Sequence, residues 1–192
     1  MANAIPILAV MLLAAAVSAC SEKQAGTEAY IDRMLTGDKL IDDCDPVAAA
    51  GFCGVRFGMT LAEAKAVFPE PLESFGGDET GTESLSCFMV FPESRSKDLT
   101  FMLVDGRVAR VDIFLSGIAT ENGSQVGSFE ADILARYGGR AKVLPNKYDD
   151  AKRDIVVSTS PNHQFIFESD GSKILNYRAG VLPPVGYVEG CS

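Results

Sequence analysis

Tryptophan is absent from this chain of 192 residues, and histidine occurs once, at His163. A single imidazole excludes a multi-histidine metal centre or a histidine-paired network. Basic residues are scarce: 17 Lys and Arg stand against 26 Asp and Glu, a formal net charge of −9. A nucleic-acid surface needs a basic footprint, so no nucleic-acid partner is expected. The five cysteines contain no Cys-x-x-Cys pair, which removes the usual spacing of zinc and thiol-redox sites. No apolar run reaches the length of about 20 residues that a membrane-spanning helix needs. Disorder is excluded too, because 47% of the chain is hydrophobic, a globular composition.

What is present begins with residues 4–17, an apolar stretch broken only by Pro6. Its length is that of a signal-peptide h-region, although no Lys or Arg precedes it. It ends in Val17-Ser18-Ala19-Cys20, which resembles a bacterial lipobox. The resemblance implies cleavage before Cys20, a diacylglycerol on its sulfur and an acylated (palmitate-type) new N-terminus. Ordinary signal cleavage after Ala19 is the alternative. Two or more acyl chains give stable membrane attachment. Ser21, in place of Asp, implies sorting to the outer membrane, facing the periplasm. No charged residue lies in 1–19, so the acidic balance belongs to residues 20–192.

Cys44, Cys53, Cys87 and Cys191 remain. In an exported chain four cysteines read as two disulfides, with three possible pairings. Cys44 and Cys53 enclose Pro46 and Gly51 and form a natural local loop. That leaves Cys87 with Cys191, which would staple the C-terminus to a central strand.

Residues 20–53 read as the lipidated Cys and a polar tether, with a short helix over 28–35. Thr60 opens a helix as N-cap, and Glu63 completes a capping box. Leu61, Ala64, Val67 and Phe68 follow at helical spacing until Pro69 stops it. Past a glycine-containing loop (Gly76, Gly77, Gly81), residues 87–91 and 100–104 read as strands. Asp105-Gly106 turns the second into a return strand over 107–115. The order then repeats. Residues 127–138 match 58–69 through Gly58/Gly127, Ala62/Ala131, Glu63/Asp132, Ala66/Ala135 and Phe68/Tyr137. Strands over 154–158, 164–168 and 173–179 follow, with Asp170-Gly171 in the second hairpin. Phe101/Phe165 and Leu103/Phe167 align at an offset of 64, the helices at 69.

The expected fold class is therefore α+β. Two tandem helix-plus-antiparallel-strand units, 54–122 and 123–192, would form one sheet with the helices on one face. Alternation puts Ala109, Val111, Ile113, Leu115, Leu175, Tyr177 and Ala179 beneath the helices. The other face would carry Met102, Val104, Arg110, Asp112, Phe114, Ile166, Glu168, Asn176 and Arg178. Apolar residues mixed with Arg have the composition of protein-binding surfaces, so this face is the candidate binding site. Arg110/Asp112 and Glu168/Arg178 are candidate cross-strand pairs.

Gly58-Met59-Thr60-x-x-Glu63 followed by an Asp-Gly hairpin resembles small exported proteins of the β-lactamase-inhibitor-like fold. That group includes the small assembly lipoprotein of the Bam complex and the tandem-repeat β-lactamase inhibitory protein. The lipobox and Gly-Met-Thr resemble the first, the tandem order the second. The chain differs from the first in having two units. It differs from the second in lacking Trp and having only five Tyr. What the resemblance implies is the fold.

Catalytic chemistry is sparse. His163 sits in a turn with Ser160 and Asn162, without a nucleophile elbow. Asp149-Asp150 reads as an acidic loop and lacks the spaced ligands of a calcium loop. Gly76-Gly77 and Gly138-Gly139 have no phosphate-loop sequel. The expected function is a non-enzymatic envelope lipoprotein that binds an envelope protein, without a cofactor or metal. The alternative is an inhibitor of an envelope hydrolase.

Overall fold

The computed structural model describes residues 41–74, 86–95 and 98–191. Cys20, the 28–35 helix and the Gly76-Gly77-Gly81 loop lie outside the described residues. The fold is α+β: among the described residues there are two helices, an eight-stranded antiparallel sheet and a two-stranded one.

The small sheet pairs β1 (Gly51–Phe52) with β2 (Val55–Arg56). Cys53 turns between them at a positive φ of 51° and is bonded to Cys44, with Cα atoms 5.0 Å apart. Residues 41–53, expected in the tether, belong to the packed fold instead. Ile41, Val47 and Phe52 are buried in the core, and Val47 bridges Thr120. Val47 and Phe52 lie within the Cys44–Cys53 loop and Ile41 just before it.

Helix α1 (Leu61–Val67) starts as its sequence dictates. The Thr60 hydroxyl accepts the Glu63 N–H, and the Glu63 carboxylate accepts the Thr60 N–H at 2.8 Å. Those two bonds satisfy donors that a bare helix start leaves unpaired. The Thr60 N–H, and the Thr60 hydroxyl that donates to the same carboxylate, hold the Glu63 carboxyl below its usual range. Helix α2 (Glu130–Tyr137) has Phe129 at its N-cap and no side-chain cap.

The main sheet contains β3 (Leu72–Ser74), β4 (Cys87–Pro92), β5 (Leu99–Val104) and β6 (Arg107–Ile113). It continues with β7 (Ala141–Pro145), β8 (Arg153–Ser160), β9 (His163–Ser169) and β10 (Ile174–Val181). The strand order is β3-β4-β5-β6-β10-β9-β8-β7. Two runs of four strands therefore meet where β6 pairs antiparallel with β10. The edge strands β3 and β7 were not legible in the sequence, being short or largely exposed.

Each central hairpin carries one bulge. Met102 pairs with Arg110 and Leu103 with Val108, so Ala109 is the extra residue of β6. Asn176 pairs with Glu168 and Ile174 with Ser169, so Leu175 is the extra residue of β10. A bulge reverses the alternation on one side of it. This corrects the expected inward set: Val108 and Ile174 take the core positions, and Leu175 is exposed. Gly180 follows from the same feature. A Cβ there would lie 2.6 Å from the Ala109 carbonyl oxygen, so the bulge requires a residue without one. The register also realigns the hairpins: Phe101 pairs with Val111 and Phe167 with Tyr177. Phe101 and Phe167 thus hold like register positions in their hairpins, at a spacing of 66.

One sheet face is apolar across the strands. Val90, Phe101, Val111, Ala179, Phe165 and Val157 form a continuous cross-strand row, all buried. Phe68, at the end of α1, meets Phe101 edge-on at 5.4 Å. Tyr137 of α2 lies 6.4 Å from Phe165 and 5.8 Å from Phe167. Both helices thus seal the same face. Burying a side chain of this size contributes about 2–3 kcal/mol, which makes this face the source of the core.

Candidate functional site

The opposite face is built from the alternate residues of the same strands. Register aligns Met89, Met102, Arg110 and Gly180 in one row, and Thr100, Asp112, Arg178, Ile166 and Val156 in the next. Residues 182–191 cover it. After β10 the chain enters a short 3-10 turn, Pro184–Gly186, that packs against β6, β9 and β10. Val185 is fully buried there and Pro184 is buried. The segment ends at Cys191, bonded to Cys87 of β4 with Cα atoms 5.3 Å apart.

Two guanidinium groups hold this segment by its main chain. Arg110 donates to the carbonyl oxygens of Pro184 and Tyr187, at 3.1 and 2.7 Å. Arg178 donates through Nε to the Val185 carbonyl at 2.7 Å. Arg110 also donates through Nε to Asp112 at 2.8 Å, a buried ion pair. Burial pushes the Asp112 carboxyl above its ordinary range, against the opposing pull of Arg110 and Arg178. Burial lowers Arg178, and the neighbouring Arg110 adds to that. The Thr100 hydroxyl, buried in the same row, has no hydrogen-bond partner among the described residues.

The outer side of the segment meets the loop after β7. Lys147 pairs with Glu189 at 3.6 Å, and the Tyr148 hydroxyl donates to the same carboxylate. Those contacts hold Glu189 below its usual range, the Tyr148 hydrogen bond foremost. Between them opens a cavity of about 320 Å³, lined by Cys87, Lys147, Tyr187, Val188, Glu189 and Cys191.

The nine residues of the expected binding face divide. Met102, Arg110, Asp112 and Ile166 are 0–6% exposed. Expected as an open surface, they lie beneath the C-terminal segment, whose docking no strand periodicity encodes. Val104, Glu168, Asn176 and Arg178 are half-buried, and Phe114 is exposed just past the end of β6. Glu168 pairs with Lys152 at 2.8 Å, a partner from the loop before β8. Arg110 and Asp112 sit two apart on one strand, while Asp112 and Arg178 stand opposite each other across β6 and β10. The sequence reading missed Thr100, Lys152 and residues 182–188. The dipeptide Pro183-Pro184 was the available signal that the chain leaves the sheet there.

Comparison with solved structures finds distant similarity. The crystal structure of the uncharacterized protein YfeY from Escherichia coli is similar over 71% of this chain and 99% of that chain, at 12% identity and a TM-score of 0.49. No family model matches the chain, and no curated protein matches it in sequence.

Of the other candidates, His163 begins β9 and its Nδ1 lies 2.9 Å from the Ser160 hydroxyl. Asp105 is exposed in a two-residue hairpin turn at a positive φ of 49°. Asp170 accepts the N–H groups of Ser172 and Lys173, which holds its carboxyl low and marks it as a turn residue.

Proposed function

We propose that the chain is a lipid-anchored protein of the bacterial outer membrane that acts in the periplasm as a non-enzymatic protein-binding module. The lipobox-like Val17-Ser18-Ala19-Cys20 supports the anchor. Two disulfides suit an oxidising compartment. The binding part rests on the surface around the cavity beside Cys87–Cys191. Exposed Tyr148, Tyr187 and Val188 stand there with Lys147 and Glu189 at the rim. Aromatic and aliphatic side chains within a charged rim are the composition of interface centres.

The fold is read here as a duplication. The spacing of 66 relates Met102 to Glu168, Arg110 to Asn176 and the bulge Ala109 to the bulge Leu175. The Gly58 N–H donates to the Val108 carbonyl, and the Val108 N–H to the Met59 carbonyl. Gly127, Ile174 and Ser128 repeat that pair of bonds. The β-lactamase-inhibitor-like family remains the proposed relationship.

Capture from detergent-solubilised envelope by the oxidised, lipidated chain tests the reading. A stoichiometric partner is expected, with capture reduced at least tenfold by Tyr187→Ala combined with Lys147→Glu. Equal capture by that variant overturns the assignment of the surface. Cys20→Ala should abolish lipid labelling and release the protein from the membrane.

A second reading, inhibition of an envelope hydrolase, is favoured by Asp105, which projects from its tight turn. Titration against periplasmic β-lactamases checks it. Undiminished hydrolysis at micromolar protein ends that reading for those enzymes.

A further inference from the structure

The two helices differ in what stands at their starts. α1 has Thr60 at its N-cap, whereas α2 has Phe129, which makes no capping bond and is 55% exposed. Ser, Thr, Asp or Asn would satisfy a helix N–H at that position. Phe129 therefore weakens its own helix and gains little burial. It has exposed neighbours. Its backbone bridges Lys173, whose ammonium lies 5.4 Å from the ring centroid. Lys173 precedes the buried Ile174, and Phe114 follows the buried Ile113, so alternation turns both away from the core. The bulge residue Leu175 is exposed beside them. Ile113 pairs with Tyr177, which sets Phe114 opposite Asn176 and about 10 Å along β10 from Phe129. Phe114 and Leu175 are 47% and 37% exposed. In the adjoining turn, Asp170 directs its carboxylate to the N–H groups of Ser172 and Lys173.

The place of this patch points to its occupant. The described residues begin at Ile41, which lines a cavity of about 220 Å³ with Leu115, Ser116, Gly117 and Ile118, the residues directly after Phe114. The 20 residues between Cys20 and Ile41 span at most about 70 Å when fully extended. Acyl chains on Cys20 would therefore tie the bilayer to the end of the sheet that carries the patch. The net charge of −9 offers no attraction to anionic lipid, so contact with a bilayer must be apolar. Aromatic and aliphatic side chains with one Lys suit the boundary between headgroups and acyl chains, where the rings sink and the ammonium stays in the polar layer. We propose that Phe114, Phe129, Leu175 and Lys173 form a bilayer-contact surface. The three apolar side chains enter the headgroup–acyl boundary, and the Lys173 ammonium meets lipid phosphate. The inference goes beyond the protein-binding surface around Tyr148 and Tyr187, shares no residue with it and rests on the Cys20 anchor, to which it adds an orientation.

The chain contains no Trp, so one introduced Trp reports its own position alone. The full lipidated chain carrying Phe114→Trp, Phe129→Trp or, as a control, Leu182→Trp is reconstituted into phosphatidylcholine vesicles. Leu182 is exposed at the opposite end of β10. Emission is compared with that in vesicles of the same lipid brominated on the upper acyl chain, which quenches by contact. Phe114→Trp and Phe129→Trp should shift to the blue and lose at least half of their emission, and Leu182→Trp less than a tenth. All three replace exposed side chains; should either patch variant fail to fold, Leu175→Trp takes its place. Lys173→Glu should at least halve the quenching of Phe129→Trp, and unchanged quenching removes Lys173 from the surface. A chain that floats with the vesicles while both patch positions stay unquenched overturns the proposal and leaves the anchor standing. Equal quenching at Leu182→Trp overturns it too, since no end of the sheet is then preferred. A blue shift without quenching that grows with the protein-to-lipid ratio assigns the patch to a second copy of the chain and overturns it. A chain that does not float overturns the anchor, and the orientation with it.

Discussion

The two faces of the main sheet are made from neighbouring residues of the same strands, yet they are covered by different means. Under the helices, Phe101, Val111, Ala179 and Phe165 form an unbroken apolar row. Such a face needs chiefly a cover of matching apolar area, and α1 and α2 provide it, with a hydrogen bond from Ser169 of β9 to Glu130 at the start of α2 as an addition. On the other side, Thr100, Asp112, Arg178 and Ile166 mix charge with apolar surface. A cover there must satisfy each polar group, since an unpaired buried charge is costly. The C-terminal segment meets both guanidinium groups by turning its carbonyl groups to Arg110 and Arg178, and a covalent bond holds its end. Apolar burial is generic and robust; polar burial is specific and fragile.

The sharpest way to break this comparison is to truncate one buried side chain on each face. Phe167→Ala, beneath the helices, should cost about 3–5 kcal/mol, read as a lower midpoint in urea with the slope unchanged. Asp112→Ala should cost about 3 kcal/mol, although it removes a smaller side chain, because it leaves Arg110 buried without its carboxylate. A cost below about 1 kcal/mol would show that the segment's carbonyls alone satisfy Arg110. The covers come next. Thr60→Ala removes the α1 cap and should cost about 1 kcal/mol in the same assay. The smallest effect is on pH dependence. Glu63 is held below its usual range by the Thr60 N–H and hydroxyl, so its contribution is present above the ordinary carboxylate range. It is lost as pH falls through the lowered folded value. Glu63→Gln should therefore lower Tm slightly at neutral pH, leave it nearly unchanged well below about pH 4.3, and so flatten the acid limb of Tm against pH.

How much was legible follows from where each signal lives. The α1 capping box, the Asp105-Gly106 hairpin and the central strands were legible because a few neighbouring residues encode each. Cys44–Cys53 and Cys87–Cys191 followed from spacing and elimination, and the structure has both bonds. The bulges at Ala109 and Leu175 were not legible, since period-two alternation carries no mark of an inserted residue. Nor were β3 and β7, whose short or exposed strands lack a clear apolar pattern. The site was half legible. Arg110, Asp112, Ile166 and Arg178 were correctly placed on one face, but their burial was not.

The sequence by itself determined the class of fold, the start of α1 and the central hairpins, because local sterics, capping and alternation act over a few residues. The tertiary structure alone decided that the charged face is covered, that Glu168 meets Lys152, and that residues 41–53 join the core. Each of these brings together groups far apart in the chain, and their hydrogen bonds form only after the sheet has set the register.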